Sequence, residues 1–322
     1  MNWRHLKARL LAAGTVRLSG EPADRFVERS RAGPSAGSGG SVFFSIGNRR
    51  VRLSVNPASE IELVHRGGGR AEIRLDGESV AGRLEPVALH CPRQAYITVS
   101  EGCIFRCTYC PVPSQEARVK SPEEVAALVK RVLPHIDAIS LTSGVVGSAE
   151  EDERRVLEVV KRVAGHGKPV GVSIYPLEGT PRRLHALGVA EVKFNLETAT
   201  RSLFAKHCPG LDREALCRAL RESVGLFGRN HVFSNVILGL GETDEEMEHC
   251  IEELCTTGVI PVIRPLTPAA GCSDYPRPSA ARIEKICAVH ERHLALAGLD
   301  PTEALTMCVA CTGCDLVPGR DT

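Results

Sequence analysis

The chain has almost no net charge and no long apolar run. Its 40 Lys and Arg nearly balance its 39 Asp and Glu, which leaves a formal net charge of +1. This balance argues against a nucleic-acid groove or an anionic membrane surface as a partner. No apolar run reaches the roughly 18 residues of a membrane-spanning helix. We therefore expect a soluble protein that binds neither nucleic acid nor membrane.

The amino-terminal segment lacks the long apolar centre of a secretory signal. Residues 1–14 instead predict a short amphipathic helix that ends at Gly14, although the absence of acids before Glu21 also faintly resembles a transit peptide. Without an export signal, the 13 cysteines are expected to bind metal rather than to form disulfides. A reducing, cytoplasmic location follows as an expectation.

Three of these cysteines lie on a loop after the apolar, strand-like run at residues 95–99. Cys103, Cys107 and Cys110, which we name the loop trio, have the spacing Cys-x3-Cys-x2-Cys. Clustered thiolates favour an iron–sulfur cluster, zinc or Cu(I), and the spacing does not choose among them. Three ligands leave one corner of a four-ligand site for a group that is not protein. The alternative is that these are scattered core cysteines.

This loop, with Tyr109 before its last cysteine, resembles the cluster motif of the radical S-adenosylmethionine (SAM) enzymes. The resemblance implies a [4Fe-4S] cluster whose open iron binds SAM, and a reductant such as ferredoxin or flavodoxin. It also implies reductive cleavage of SAM to a 5′-deoxyadenosyl radical, which abstracts hydrogen from an unactivated carbon. The cofactor supplies this chemistry, and the protein orients the reactants.

The rest of the chain predicts an α/β protein in three parts. Residues 1–90 contain short strand-like runs and a Gly/Ser-rich connection at residues 30–40, which predict a small β-rich subdomain of undecided role. Residues 91–270 alternate strands and helices, as in a parallel sheet with crossover helices. The predicted strands are 95–100, 138–143, 170–175, 191–196, 232–239 and 259–264. Six such units match the partial (β/α)6 barrel that the resemblance implies, and residues 271–322 form a carboxy-terminal extension.

Polar and small residues follow three of these strands, where the active groups of such barrels lie. Ser143-Gly144 follows the second strand, Asn195-Leu196-Glu197-Thr198 the fourth, and a Gly-Leu-Gly-Glu-Thr segment the fifth. The last two segments resemble lipoyl synthases and, less closely, biotin synthases, over about residues 95–270. The resemblance implies SAM contacts at Tyr109, Ser143, Gly144, Asn195, Glu197, Ile237 and Gly239.

A second cysteine cluster lies near the carboxy terminus. Cys308, Cys311 and Cys314, the tail trio, have the spacing Cys-x2-Cys-x2-Cys and predict an auxiliary iron–sulfur cluster. A zinc-stabilised or disordered tail is the alternative. Cys91 and Cys272 are candidates for a fourth ligand. The remaining cysteines are interpreted as small apolar residues: Cys208, Cys217, Cys250, Cys255 and Cys287.

In biotin and lipoyl synthases the second cluster is a source of sulfur. The resemblance therefore implies sulfur insertion into an octanoyl chain on a lipoyl carrier protein or peptide. This sequence lacks the amino-terminal cysteine trio and the serine-rich carboxy-terminal motif of ordinary lipoyl synthases. It resembles the biotin-synthase-related subunit of two-protein lipoyl synthases, which implies a second radical SAM protein as partner.

Two other functions stay open. The chain could be a radical SAM methylase, mutase or maturase of cofactor biosynthesis, in which the second cluster relays electrons or anchors substrate. It could instead be a non-catalytic metalloprotein with zinc in both sites. Acid–base catalysis is not indicated, because histidines such as His135, His185 and His290 occur singly.

Overall fold

The computed structural model describes residues 2–29, 40–268 and 270–322. The predicted Gly/Ser-rich connection, apart from Gly40, lies outside the described residues. Helix α1 (Trp3–Ala13) begins the chain, and the Asn2 side chain accepts a hydrogen bond from the Arg4 amide. The helix ends at Gly14, whose left-handed backbone (φ 68°) suits glycine. The predicted amino-terminal helix is therefore present with the predicted end.

Six strands of the amino-terminal region form a closed barrel in the order β1-β3-β2-β6-β5-β4. Its interior holds fully buried apolar side chains such as Leu53, Leu63 and Ile73. The turn at residues 67–69 joins two antiparallel strands of this barrel. Strands β1 and β6 were not predicted, because polar residues interrupt the apolar pattern of both segments. The six strands are β1 (Thr15–Gly20), β2 (Ser41–Ile46), β3 (Arg49–Val55), β4 (Glu62–His65), β5 (Arg70–Leu75) and β6 (Glu78–Glu85).

A second sheet contains six parallel strands, and its order is β15-β14-β13-β12-β11-β8-β7. The short β7 pairs antiparallel with β8 at one edge. Strands β9 and β10 form a separate two-stranded ribbon. The six parallel strands confirm the predicted partial barrel. The bounds are β7 (His90–Cys91), β8 (Gln94–Thr98), β9 (Ser100–Glu101), β10 (Arg118–Val119), β11 (Ala138–Thr142), β12 (Val170–Ser173), β13 (Glu191–Lys193), β14 (Val232–Leu238) and β15 (Ile260–Pro265).

Helices connect the parallel strands and cover the sheet. Side chains cap two of these helices at their amino termini: Ser121 caps one, and Thr243 forms a reciprocal capping box with Glu246 at another. None of the helices in the described part of the chain is long and apolar enough to cross a membrane. The remaining helices are α2 (Pro122–Val132), α3 (Ala149–Val163), α4 (Thr180–Ala186), α5 (Arg201–His207), α6 (Arg213–Phe227), α7 (Asp244–Thr257), α8 (Ala280–Ala297) and α9 (Met307–Cys311).

The carboxy-terminal tail packs against strands β11, β12 and β13 of the parallel sheet. The Glu191 carboxylate accepts hydrogen bonds from the Thr306 amide (2.7 Å) and hydroxyl (2.6 Å). The Met307 amide donates to the Ser140 hydroxyl at 2.9 Å. Gly171 permits this approach, since a Cβ there would lie 2.0 Å from the Thr306 hydroxyl oxygen. The tail trio is thereby placed inside the sheet's concave face rather than on the surface.

The amino-terminal helix holds the end of this tail. Lys7 is fully buried, and its ammonium group lies 2.6 Å from the Asp321 carboxylate and 2.5 Å from the Thr312 carbonyl oxygen. The Trp3 indole also donates to Asp321, at 3.0 Å. The two ends of the described chain therefore share one buried polar network.

Candidate active site

Both cysteine trios line a single cavity of about 350 Å³. The cavity opens at the carboxyl ends of the parallel strands, where the predicted site residues were expected. The lining contains the loop trio, the tail trio, and Phe43 and Arg52 of the small barrel. Of the predicted SAM-contact residues, the cavity lining contains Tyr109, Ser143, Gly144, Asn195, Glu197 and Ile237.

The loop trio is partly buried and is shaped by close backbone packing. The Gly144 amide donates to the Ser100 carbonyl at 3.0 Å. A Cβ on Gly144 would lie 2.1 Å from the Gly102 carbonyl oxygen, so a larger residue would displace the cysteine loop. Burial raises the pKa of Cys110 to about 12. A hydrogen bond with Cys208 lowers the pKa of Cys107.

The tail trio is more enclosed and is surrounded by cations. Cys308 and Cys311 are buried and Cys314 is partly buried. The Cys308 sulfur accepts from the Lys193 ammonium and the Arg264 guanidinium, both at 3.4 Å. A hydrogen bond with Cys91 lowers the pKa of Cys311 to about 7. These donors favour thiolates, the form in which cysteine binds metal.

The surroundings of the tail trio fit an anionic cluster. Among the described residues, the buried Arg52 Nη1 and Arg264 Nε have no hydrogen-bond partner. Arg52 pairs with Glu28 through another of its nitrogens. Buried N–H groups without an acceptor are costly, and sulfides with thiolates can supply the missing acceptors. In the described part of the chain, no three His, Cys, Asp or Glu side chains converge on a single metal ion. A four-iron cluster requires less convergence, because each cysteine binds a different iron atom.

Glu197 lies deep in the cavity on strained backbone. Its φ of 62° is uncommon for a residue other than glycine. Backbone hydrogen bonds of 2.8 Å to Asn235 and Ile237 hold this conformation. Burial raises the pKa of Glu197 to about 7, although the Lys193 charge and an Asn195 hydrogen bond oppose the rise. Strain maintained by the surrounding strands is typical of a functional position.

Two predicted contacts differ from the expected geometry. Ser143 lines the cavity, but its amide donates to the Ser173 carbonyl and its hydroxyl donates to Asp152. The amides of Ser143 and Gly144 are thus used within the protein instead of being exposed for a ligand. Gly239 lies outside the described cavity lining, and its amide donates to the Glu242 carboxylate at 2.7 Å.

The two candidates for a fourth cluster ligand, Cys91 and Cys272, lie beside different cysteine trios. Cys91 packs against Cys311 and Phe43 beside the tail trio. Cys272 instead contacts the Thr108 hydroxyl at 3.1 Å, on the loop of the other trio. The prediction for Cys272 was therefore wrong in position, because sequence proximity to the barrel's end did not indicate which trio it approaches.

Sequence reasoning missed the cations of the cavity. Lys193, Asn195 and Glu197 are each two residues apart, and side chains at this spacing point to the same face of an extended segment. This spacing could have indicated that Lys193 faces the cavity together with the other two. Arg264 is near the carboxyl end of the sixth parallel strand, where the strand-end rule also applies. Arg52 had no such signal, since it comes from the small barrel.

Residues 97–254 match the family model described as the radical SAM superfamily. These residues form a radical SAM domain. Membership of this superfamily implies a [4Fe-4S] cluster and SAM, and it supports catalysis. The cysteine loop and the carboxyl ends of five of the six parallel strands lie within the matched residues.

Curated proteins similar to this radical SAM domain are lipoyl synthases. The chain is 27% identical over 202 residues to lipoyl synthase of Nitrosospira multiformis, covering 54% of this chain and 62% of that protein. It is 26% identical over 169 residues to lipoyl synthase of Aeromonas hydrophila, covering 49% of this chain and 51% of that protein. The matches thus span about half to three fifths of the relatives' length. They support the lipoyl-synthase-like branch.

Solved structures confirm the fold. Methylornithine synthase (PylB) has a TM-score of 0.54 at 15% identity, covering 71% of this chain and 73% of that chain. The hydrogenase maturase HydG from Carboxydothermus hydrogenoformans has a TM-score of 0.53 at 17% identity, covering 63% and 51%. At these identities the likeness concerns the radical SAM fold alone.

Proposed function

We propose that the chain inserts sulfur at an unactivated C–H carbon of an octanoyl chain carried on a lipoyl carrier protein or peptide. In this proposal the loop trio holds the SAM-binding [4Fe-4S] cluster and the tail trio holds an auxiliary iron–sulfur cluster. A second radical SAM protein shares the two insertions, and a ferredoxin or flavodoxin supplies electrons. The likeness to lipoyl synthases supports the substrate.

The observation that carries this proposal is that both trios line the same cavity. A carbon activated near the loop trio can then meet sulfur held at the tail trio without leaving the protein. An electron relay has no need for a shared cavity, because electrons cross protein and a substrate carbon does not. The geometry therefore favours sulfur insertion over a relay.

The cavity also offers suitable surfaces for the reactants. The Glu197 carboxylate can accept hydrogen bonds from the two ribose hydroxyls of SAM, which are donors. Phe105 and Tyr175, whose ring centres are 5.1 Å apart, line an apolar part of the wall with Leu211. This part is suited to an acyl chain and excludes water from a reactive carbon.

The chain's own groups would orient the reaction across the cavity. The cluster and SAM, when bound, would supply the deoxyadenosyl group that accepts the substrate's hydrogen atom. Lys193 and Arg264 contact the Cys308 sulfur, and their positive charges stabilise negative charge there. Substrate would thereby exchange a C–H bond for a C–S bond, with the hydrogen passing to deoxyadenosine and the electron released on C–S bond formation passing to iron of the auxiliary cluster.

The test is anaerobic turnover with an octanoylated carrier peptide after the auxiliary site is loaded with heavy-isotope sulfide. We expect the product peptide to carry the heavy sulfur, and deoxyadenosine to form with it. Cys107→Ala should abolish both products, because it removes a ligand of the SAM-binding cluster. Cys311→Ala should abolish the sulfur-bearing peptide and leave deoxyadenosine formation. Mass spectrometry measures both.

Cys250→Ala is the matched control, because Cys250 is buried like Cys311 but lies outside the described cavity lining. It should retain both products. Deoxyadenosine without labelled peptide in the unsubstituted protein, also when the second radical SAM protein is present, would contradict the proposal. That result would favour a methylase, mutase or maturase with a relay cluster.

A further inference from the structure

We infer that Cys91 is the fourth protein ligand of the auxiliary cluster, which makes that site a closed set of four cysteines. This inference rests on the proposed auxiliary cluster at the tail trio. It adds a ligand from a distant part of the chain, 217 positions before Cys308. Such a ligand cannot be recognised from the spacing of the tail cysteines.

The position of Cys91 is fixed by a tight hairpin. Strand β7 pairs antiparallel with β8, and Cys91 faces Gln94 in the register. His90 and Arg93 on either side have positive φ values of 69° and 59°, which are uncommon for such residues. Strained backbone of this kind persists when surrounding structure maintains it, often at functional sites. The hairpin directs Cys91 toward the cavity.

Cys91 is only 1% exposed, yet it lines the cavity together with all three tail cysteines. Its thiol packs against Cys311 and Phe43. It also interacts electrostatically with each of Cys308, Cys311 and Cys314. All four sulfurs are therefore grouped around one space, as ligands of a four-iron cluster must be.

Cys208 provides an internal comparison. It forms the same kind of thiol contact with one member of the loop trio, Cys107. It lies outside the described cavity lining, and its main interaction with a cysteine of that trio is with Cys107. Cys208 therefore leaves the fourth corner of the loop site open, whereas Cys91 occupies that of the tail site. The two sites therefore differ at the fourth ligand position, which the loop site must leave free for SAM.

The charges around the tail site agree with four thiolates. Lys193 and Arg264 contact the Cys308 sulfur, and a buried nitrogen of Arg52 has no partner among the described residues. The Arg50 guanidinium donates to the Cys311 carbonyl at 3.5 Å. Arg50 and Arg52 are also paired with Glu85 and Glu28. Lys193 and Arg264 are therefore the cations that can balance a fully cysteine-ligated, anionic cluster.

The experiment isolates the auxiliary site in the full-length chain. In a variant with Cys103→Ala, Cys107→Ala and Cys110→Ala, only the tail site remains for iron. After anaerobic reconstitution, we expect the iron content and the Mössbauer spectrum of a single four-iron cluster. Adding Cys91→Ala should remove one iron and give the electron paramagnetic resonance signal of an oxidised three-iron cluster. Cys91→Ser should keep the iron and shift the signal of the reduced cluster.

Cys272→Ser is the matched control, because Cys272 is also 1% exposed but lies on the loop beside Thr108. It should leave both the iron content and the spectrum unchanged. The inference is overturned if Cys91→Ala also leaves them unchanged. If the triple variant binds no cluster, the proposed auxiliary cluster itself fails, and the ligand assignment with it.

A second measurement does not depend on folding of the Cys91 variants. Cyanide binds an iron atom that lacks a protein ligand, but it has no such position in a closed four-cysteine site. The spectrum of the reduced cluster in the triple variant should therefore stay the same when cyanide is added. A shifted spectrum would show an open iron and overturn the inference.

Discussion

The loop trio and the tail trio have similar cysteine spacings but different surroundings. The loop trio is partly exposed, and the nearest carboxylate in its wall of the cavity is Glu197. The tail trio is more deeply buried and contacts Lys193 and Arg264. The first arrangement leaves room for a ligand with donor groups, and the second retains an anionic cluster.

The two sites are therefore distinguished more by the residues around the cysteines than by the spacing of the cysteines. The loop trio lies on one short segment after one strand, and the Ile104 and Thr108 amides of this segment donate to the Val145 and His207 carbonyls. The tail trio is held by both ends of the chain and by several strands at once. We therefore expect the tail site to depend on the tertiary structure far more than the loop site does.

The largest effect is expected from Lys7→Met. The substitution leaves Asp321 buried without its cation, which should lower the free energy of unfolding by about 3–5 kcal/mol. Because the pair holds the tail, the auxiliary cluster should be lost first while the loop site still binds its cluster. Denaturant unfolding and the iron content measure the two effects.

Lys285→Met is the control for this substitution. Lys285 also pairs with a carboxylate at 2.8 Å, but its side chain is 61% exposed. Solvent-exposed ion pairs contribute little to the free energy of folding, so neither the stability nor the iron content should change measurably. Equal loss of both clusters in Lys7→Met would contradict the difference between the sites.

An intermediate effect is expected at Glu197, on the SAM side of the cavity. Since its pKa is raised to about 7, the side chain is mostly protonated below that pH and loses acceptor capacity. SAM affinity should therefore rise as the pH increases through about 7. Glu197→Gln should weaken SAM binding by roughly tenfold and remove this pH dependence. Calorimetric titration of cluster-loaded protein measures both.

Asn235→Asp serves as a comparison, because Asn235 also lines the cavity but holds Glu197 through its backbone. It should retain a pH dependence of SAM binding. If Glu197→Gln keeps the affinity and pH profile of the unsubstituted protein, Glu197 does not bind the ribose.

The smallest effect is expected from Arg264→Gln, on the tail side. Loss of one charge-assisted hydrogen bond to the Cys308 sulfur should destabilise the reduced, more negative cluster by about 1.4 kcal/mol. For one electron this corresponds to a reduction potential lower by roughly 60 mV. A redox titration of the auxiliary cluster measures the shift. Arg162→Gln, which removes an exposed pair with Glu123, should leave the potential unchanged.

Much of the site could be predicted from sequence because its residues are short-range neighbours. The loop trio with Tyr109 is one segment, and Asn195 and Glu197 alternate on one face. Gly239 illustrates the limit of this reasoning. Its Gly-Leu-Gly segment follows the expected strand, but the backbone amides bind Glu242, and Glu242 in turn pairs with Arg282 of α8. Nothing in the local pattern indicated that helix.

The closed small barrel was also only partly predictable. The strands with apolar character were recognised, but β6 has an exposed, polar sequence and is a strand because its neighbours complete the hydrogen bonding. Pairing between distant segments overrides weak local preference in such strands.

By itself, the sequence determined the α/β class, the six parallel strands and the two groups of cysteines, because alternation and spacing are local properties. Only the tertiary structure decided that both groups face one cavity and that Cys91 rather than Cys272 lies with the tail trio. It also decided that cations from β3, β13 and β15 surround the tail sulfurs. The physical reason is that these contacts join residues far apart in the chain, and burial and hydrogen bonding of the folded sheet select them.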